Sequence, residues 1–229
     1  MTTTTLTNTP KTANPFITRQ SASKYATEAI GTMFLVFTVG AAVGGAGPLA
    51  PFAIGAILMA MIYAGGHISG AHYNPAVTLA MLVRRRIDIR DALGYWIGQA
   101  AGALAGAAVV AIVLPVHAAP LSRSGHTMLA AIIAELLFTF ALCYVVLNVA
   151  TSKDHPKNSF YGIAIGLVVV AGAVTAGHIS GGALNPAVVF GGTAIGSIAL
   201  SMLLPYVVVQ LVAGVLAGIV FRSINPDDK

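Results

Sequence analysis

The chain has 229 residues, of which 57% are hydrophobic and only 8% are charged. Soluble domains carry roughly 25% charged residues, so this composition excludes a water-soluble globule and predicts a membrane protein. The single cysteine, Cys143, excludes an intrachain disulfide, and the basic residues behind the net charge of +5 lie at the ends of apolar stretches, which excludes a basic face for nucleic acid.

The first 23 residues are polar and rich in threonine. They lack a basic segment followed by an apolar core and a small-residue cleavage site, so they are not a secretory signal peptide. A disordered cytoplasmic tail is therefore predicted over residues 1–23, and a short cytoplasmic tail over residues 223–229.

Six apolar stretches lie between these tails, and each is a predicted membrane-spanning helix. The second and fifth are shorter than the roughly 17 residues that cross the hydrocarbon core, and each leads into a polar, glycine-rich segment. Short spans at matching places in two halves of a chain indicate a site at mid-membrane. The six stretches are Ala26–Val43, Pro51–Gly65, Ala92–Leu114, Thr127–Ala150, Phe160–Thr175 and Ser197–Phe221.

The chain is an internal duplication. The pentapeptide Gly-His-Ile-Ser-Gly occurs at 66–70 and again 111 residues later, at 177–181. Repeat one covers about 24–114 and repeat two about 127–222, with three spans in each. Because three is odd, the second repeat enters the membrane inverted relative to the first. An Asn-Pro-Ala tripeptide follows each pentapeptide, as Asn74-Pro75-Ala76 and Asn185-Pro186-Ala187.

Each Asn-Pro-Ala tripeptide predicts the start of a half-helix. Asparagine is a strong N-cap and proline is favoured at the first helical position. About nine helical residues follow Asn74, roughly 13 Å at 1.5 Å per residue, which is half of a hydrocarbon core about 30 Å thick. The polar segment before each half-helix must then be buried in protein or line a water-filled cavity. Two half-helices therefore meet at mid-membrane, each presenting an asparagine amide and the positive end of its dipole.

Eleven of the twelve basic residues fall on one side of the six-span topology, and Arg123 falls on the other. The excess of Lys and Arg in cytoplasmic loops predicts that both termini are cytoplasmic. The short tails favour the plasma membrane of a prokaryote, the cell inner membrane. The eleven residues are Lys11, Arg19, Lys24, Arg84, Arg85, Arg86, Arg90, Lys153, Lys157, Arg222 and Lys229.

The segments Ser69–Thr78 and Ser180–Ala187 resemble the two signatures of the aquaporin, or major intrinsic protein, family. The resemblance covers residues 24–222. It implies an all-α membrane protein with six transmembrane helices and two re-entrant half-helices. It also implies a homotetramer in the lipid bilayer, in which each monomer is a passive channel for water and small uncharged solutes. No cofactor, metal or nucleic acid is expected.

The resemblance also implies roles for individual residues. Asn74 and Asn185 donate to the permeating molecule, and two runs of backbone carbonyls line the two halves of the pore. Glu28 and Glu135 brace the loops by accepting from backbone N–H groups, which agrees with the rule that a carboxylate within a span has a partner. His67 and His178 also brace the loops, since matched histidines on opposite loops lie too far apart for a metal site. The carbonyl runs are those of Gly70, Ala71, His72 and Tyr73, and of Gly181, Gly182, Ala183 and Leu184.

The chain departs from water-selective members of the family at the outer constriction. Such members carry arginine after the second Asn-Pro-Ala, where this chain has Val188. Spacing from the asparagines places the other three constriction residues at Ile54, Ala173 and Gly182. The set is partly similar to that of plant tonoplast intrinsic proteins. It predicts a wide, apolar filter that passes glycerol, urea, ammonia or hydrogen peroxide while protons and ions are excluded.

Three other functions remain open from the sequence: a largely water-selective aquaporin, a secondary transporter with broken helices, and a junction-forming structural membrane protein. Ion-coupled transporters bury acidic ligands beside the broken helix. No Asp or Glu occurs between Ala92 and Ala134 or between Ser159 and Pro226, which disfavours the transporter. Short loops such as 44–50 offer little docking surface for a junction. No nucleophile–base pair supports an enzyme.

Overall fold

The computed structural model describes residues 18–114 and 120–228. Across these residues the chain forms six long apolar helices and two half-helices, which confirms the predicted fold class. The long helices are α1 (Arg19–Gly45), α2 (Ala50–Ser69), α4 (Ile89–Val113), α5 (Gly125–Thr151), α6 (Tyr161–Ser180) and α8 (Leu200–Ile224). The half-helices are α3 (Pro75–Val83) and α7 (Pro186–Ile195), and a 3₁₀ turn, Gly47–Leu49, joins α1 to α2.

Helix α1 begins at Arg19, within the segment predicted to be a disordered tail. The Thr18 side chain accepts a hydrogen bond from Ser21 N at 3.1 Å, and this N-cap starts the helix ahead of its apolar part. Residues 1–17 of the predicted tail lie outside the described residues. At the other end, α8 continues to Ile224, past the predicted boundary at 222, and Asp228 is buried.

The prediction that the second and fifth spans are short is wrong. Helices α2 and α6 each have 20 residues, because both continue through the first four residues of the repeated pentapeptide. Each ends at a glycine in the left-handed region, Gly70 at φ 84° and Gly181 at φ 88°. Only glycine adopts this conformation at little cost, so the last residue of the pentapeptide is the helix stop.

Close helix packing brings the half-helices into the bundle. A Cβ at Gly102 of α4 would lie 2.2 Å from Ala29 O of α1, and a Cβ at Gly214 of α8 would lie 2.4 Å from Ala76 O of α3. Helix backbones approach this closely in a membrane only where small residues face each other. The glycines of α8 therefore fix the half-helix α3 directly against a spanning helix.

Candidate functional site

The two half-helices meet at a pair of asparagines that bond across the centre of the molecule. Asn74 Oδ1 accepts from Ala76 N and Asn185 Oδ1 accepts from Ala187 N, both at 2.9 Å, so each side chain caps its own half-helix. Each amide nitrogen donates to the opposite loop, Asn74 Nδ2 to Leu184 O and Asn185 Nδ2 to Tyr73 O, both at 2.9 Å. The two repeats thus hold each other's loops at mid-membrane.

This arrangement leaves each asparagine with one free donor. An amide NH₂ group carries two hydrogens, and one of them bonds to the opposite carbonyl. Both asparagines also line the central cavity. The two remaining N–H groups can donate to the oxygen of a molecule at the centre, beside the positive ends of both half-helices.

Residues in the left-handed region shape the loops before the half-helices. Ala71 has φ 53° and Tyr73 has φ 48°, and their repeat-two equivalents, Gly182 and Leu184, have φ 61° and 51°. A non-glycine residue in this region is strained and persists only where its surroundings hold it. Both loops therefore need strong partners for their backbone.

Glu28 is the partner of the first loop. It is fully buried, and its carboxylate accepts four hydrogen bonds. Oε1 accepts from Ser69 Oγ at 2.7 Å and from His72 N at 2.9 Å. Oε2 accepts from Tyr73 N at 2.7 Å and from Gln99 Nε2 at 2.9 Å. Since the loop N–H groups bind Glu28, the loop carbonyls are left to face the other way.

Glu135 holds the second loop by the same pattern. Oε1 accepts from Ser180 Oγ at 2.7 Å and from Ala183 N at 3.0 Å. Oε2 accepts from Leu184 N at 2.8 Å and from Gln210 Nε2 at 2.7 Å. Four donors around each carboxylate favour its ionised form and compensate for its burial.

Several members of these two clusters were not predicted. Tyr95 and Tyr206 donate to the carbonyls of Ser69 and Ser180, which fixes the last turns of α2 and α6. The signal was present in the sequence, because Tyr95 and Gln99 match Tyr206 and Gln210 at the same separation of 111 residues. Polar residues that repeat within apolar helices indicate shared structural partners.

His67 and His178, predicted to brace the loops, lie in the last turns of α2 and α6 rather than on the loops. Both residues are exposed, and no hydrogen bond of either side chain occurs among the described residues. The contacts predicted for these histidines are made instead by the serines two residues later. His72 is the histidine that packs inside, with Nδ1 3.0 Å from Thr78 Oγ1.

A cavity of about 730 Å³ runs past both asparagines. None of the described residues that line it is Asp, Glu, Lys or Arg. The structure brings all four predicted constriction residues, Ile54, Ala173, Gly182 and Val188, to its wall. Of the predicted carbonyl residues, Ala71 and His72 line the cavity on one side and 181–184 on the other, whereas Gly70 and Tyr73 do not line it.

The constriction residues come from three helices and a loop. Ile54 lies on α2, Ala173 on α6 and Val188 in the first turn of α7, where it is buried. Gly182 lies in the loop, and a Cβ there would be 3.1 Å from Ala173 Cα. A larger side chain at Gly182 is therefore both strained and crowded, and this position contributes backbone alone.

Leu121 also lines the cavity, and the sequence carried no signal for it. Its backbone pairs with the segment after α7, with Leu121 N donating to Ser197 O at 2.8 Å and Ala199 N donating to Leu121 O at 3.0 Å. Nearby, Arg123 Nε donates to Ile179 O at 2.9 Å, at the end of α6. These bonds fix the segment between α4 and α5 against the outer end of the cavity.

Comparison with known proteins agrees with this geometry. A family model described as Major intrinsic protein matches residues 16–175 and 127–228. Glycerol uptake facilitator protein-like 6 of Lactiplantibacillus plantarum is 39% identical over 216 residues, covering 90% of this chain and 99% of that protein. Probable aquaporin TIP2-2 of Oryza sativa subsp. japonica is 36% identical over 220 residues, covering 89% and 88%.

The fold also matches a solved structure. The X-ray structure of the aquaglyceroporin from Plasmodium falciparum superposes with a TM-score of 0.73 at 24% sequence identity. The match covers 90% of this chain and 95% of that chain, so the same arrangement of helices extends over nearly the whole molecule.

Proposed function

The chain belongs to the major intrinsic protein family and is a multi-pass membrane channel rather than an enzyme, and we propose that it conducts glycerol, urea, ammonia or hydrogen peroxide as well as water. The observation that carries this proposal is the apolar ring formed by Ile54, Ala173, Gly182 and Val188 at the wall of the cavity. The name of the bacterial relative, a glycerol uptake facilitator-like protein, supports solutes larger than water.

The ring supports a wide pore because it lacks both bulk and donors. Selectivity in such pores depends on diameter, on the hydrogen-bonding groups of the lining and on electrostatic barriers. Val188 supplies neither charge nor donor, and Gly182 and Ala173 add little volume. Water that enters the ring gives up hydrogen bonds that the wall does not replace, at about 1–3 kcal/mol for each bond lost. We therefore propose moderate water flux despite the width.

We propose that protons and ions are excluded at the asparagine pair. Half-helix dipoles are a known cation barrier in aquaporin-type pores. Here the free N–H groups of Asn74 and Asn185 point donors at the permeating oxygen, so that its hydrogens turn away from the centre. No charged side chain among the described lining residues offsets this barrier.

The family match excludes the secondary transporter that the sequence left open. The structure agrees, because the two carboxylates within the spans, Glu28 and Glu135, bind the loops through four donors each and do not line the cavity. A largely water-selective channel stays the alternative within the family, and the following experiment separates it from the proposal.

The test is stopped-flow permeability of proteoliposomes for water, glycerol, urea, ammonia and hydrogen peroxide. Val188→Arg restores bulk and donors and should cut glycerol and urea flux far more than water flux. Val188→Leu is the matched control, since it narrows the ring without adding a donor. A wild type that excludes every larger solute, or a Val188→Arg variant with unchanged solute flux, would show that Val188 does not set selectivity.

We also propose a homotetramer in the cell membrane with both termini cytoplasmic. The basic residues Arg84, Arg86 and Lys153 share one end of the molecule, where all three bind Asp228, whereas Arg123 lies near the outer end of the cavity. The excess of basic residues at one end supports this orientation. Light scattering of the purified channel tests the tetramer, and fractionation of the source cells distinguishes the cell membrane from the tonoplast.

A further inference from the structure

A buried carboxylate lies just after the last spanning helix. The side chain of Asp228 is 3% exposed. Its Oδ1 binds Arg84 Nη2 at 2.6 Å and Arg86 Nη2 at 3.3 Å, and its Oδ2 accepts from Lys153 N at 3.0 Å. Asp228 thus joins three parts of the chain that are distant in sequence: the end of α3, the start of the α5–α6 loop and the segment after α8.

Arg84 is the partner that gives this contact its importance. It is the C-cap residue of the half-helix α3, and its side chain is 1% exposed, with Cζ 4.5 Å above the Phe221 ring. Among the described residues, Asp228 is its one carboxylate partner. A buried cation that loses its anion is strongly destabilised where it lies, so the end of α3 would have to move toward water.

Movement at Arg84 reaches Asn74 because α3 is short and rigid. Nine residues separate the two, about 13 Å of helix at 1.5 Å per residue. A second contact, from Arg222 Nη1 to Val83 O at 3.3 Å, also ties the end of α3 to α8. The axial position of Asn74 is therefore set at one end by the loop that Glu28 holds and at the other end by the Asp228 contacts.

We propose that Asp228 is a positioning residue of the channel, which holds α3 at the depth where Asn74 can donate to the permeating molecule. The inference rests on the channel function, since it concerns a donor to permeating water. Nothing in repeat two corresponds to it, because α7 ends at Gly196, whose N–H bonds to the carbonyls of Gly192 and Thr193. The two asparagines, equivalent by repeat, are thus held in place by different means.

The experiment measures water permeability per reconstituted channel for wild type, Asp228→Asn, Asp228→Glu and the matched control Asp227→Asn. Asp227 is the exposed neighbour. Normalising to channel number removes the effect of poor folding or low yield, which a purely structural role would change. In Asp228→Asn we expect unit water permeability to fall about two- to tenfold, the factor that corresponds to weakening one hydrogen bond from Asn74. Asp228→Glu should restore most of it, and Asp227→Asn should match wild type.

Each result decides the proposal. Wild-type unit permeability in Asp228→Asn overturns it, as does an equal loss in Asp227→Asn. If Asp228→Asn does not fold, the double variant Arg84→Met/Asp228→Asn, which removes both buried charges, takes its place with the same criterion. Failure of both variants to fold would assign Asp228 to folding and overturn the positioning role. A wild type without channel activity would instead refute the proposed function, so the two failures are distinguishable.

Discussion

Replacing either buried glutamate with glutamine tests how the loops are held. Glu28→Gln keeps the size of the side chain but turns one acceptor oxygen into a donor. If the new NH₂ replaces Oε1, Ser69 can turn to accept from it, but His72 N loses its partner. If the NH₂ replaces Oε2, Gln99 can turn its unpaired Oε1 toward it, but Tyr73 N loses its partner. One buried backbone N–H is unpaired in either case.

The magnitude follows from these contacts. An unpaired buried N–H costs about 1–3 kcal/mol, and each of the three remaining hydrogen bonds loses about 1 kcal/mol when its acceptor is neutral. The sum is about 4–6 kcal/mol, a large part of the roughly 5–15 kcal/mol that stabilises a folded domain. For a chain of this size it corresponds to a fall in Tm of roughly 10–20 °C.

Cys143 provides the assay. It is the single cysteine and it is fully buried, so a thiol-reactive dye reports unfolding of the detergent-solubilised channel. Glu135→Gln should lower the Tm by a similar amount, because Glu135 accepts the same four types of donor. The surface variant Asp154→Asn is the control and should leave the Tm unchanged. A Tm within about 2 °C of wild type for either glutamine variant would refute the claim that these carboxylates hold the loops.

Three further predictions concern charge, topology and pH. Asn185→Asp places a carboxylate beside the positive helix ends and should let protons leak, which a pH-sensitive dye inside proteoliposomes measures; an unchanged leak with normal expression contradicts the donor role. With Cys143 replaced, external labelling should modify a cysteine beside Arg123 but not one beside Lys153, and the reverse pattern inverts the topology. Burial raises the pKa of Asp228, but the Lys153 N–H and nearby Arg84 outweigh it and hold this pKa below its usual range. The stability that its charge contributes should therefore be constant from pH 5 to 8 and disappear as pH falls below about 4, whereas a loss near pH 6 would contradict the sign of the shift.

The duplication made the centre of the molecule predictable from sequence. Two Asn-Pro-Ala tripeptides at one separation gave the half-helices, because capping by asparagine and proline is a local property that short sequences specify. The roles of Glu28 and Glu135 followed from the cost of a carboxylate within a span. These features needed only local chemistry and the repeat.

Other features depend on contacts that the repeat does not encode. The lengths of α2 and α6 were underestimated because glycine and histidine are weak helix formers, and tertiary packing overrides that preference. Leu121 enters the wall of the cavity through backbone bonds to 197–199, which leave no trace in side-chain identity. Asp228 has no counterpart in the other repeat, so neither its burial nor its link to Arg84 could be inferred from internal symmetry.

The crossed bonds between the asparagines and the opposite loops have a consequence for how the two halves diverge. Each asparagine binds a main-chain carbonyl, which every residue type possesses, so the side chain at that position carries no part of the contact. The equivalent positions are indeed occupied by unlike residues, Tyr73 and Leu184. Tyr73 wedges its ring against Gly31 and Gly65, whereas the Leu184 side chain packs against Gly172. Mutational drift can thus remodel the inner and outer mouths independently while the shared centre keeps its twofold symmetry.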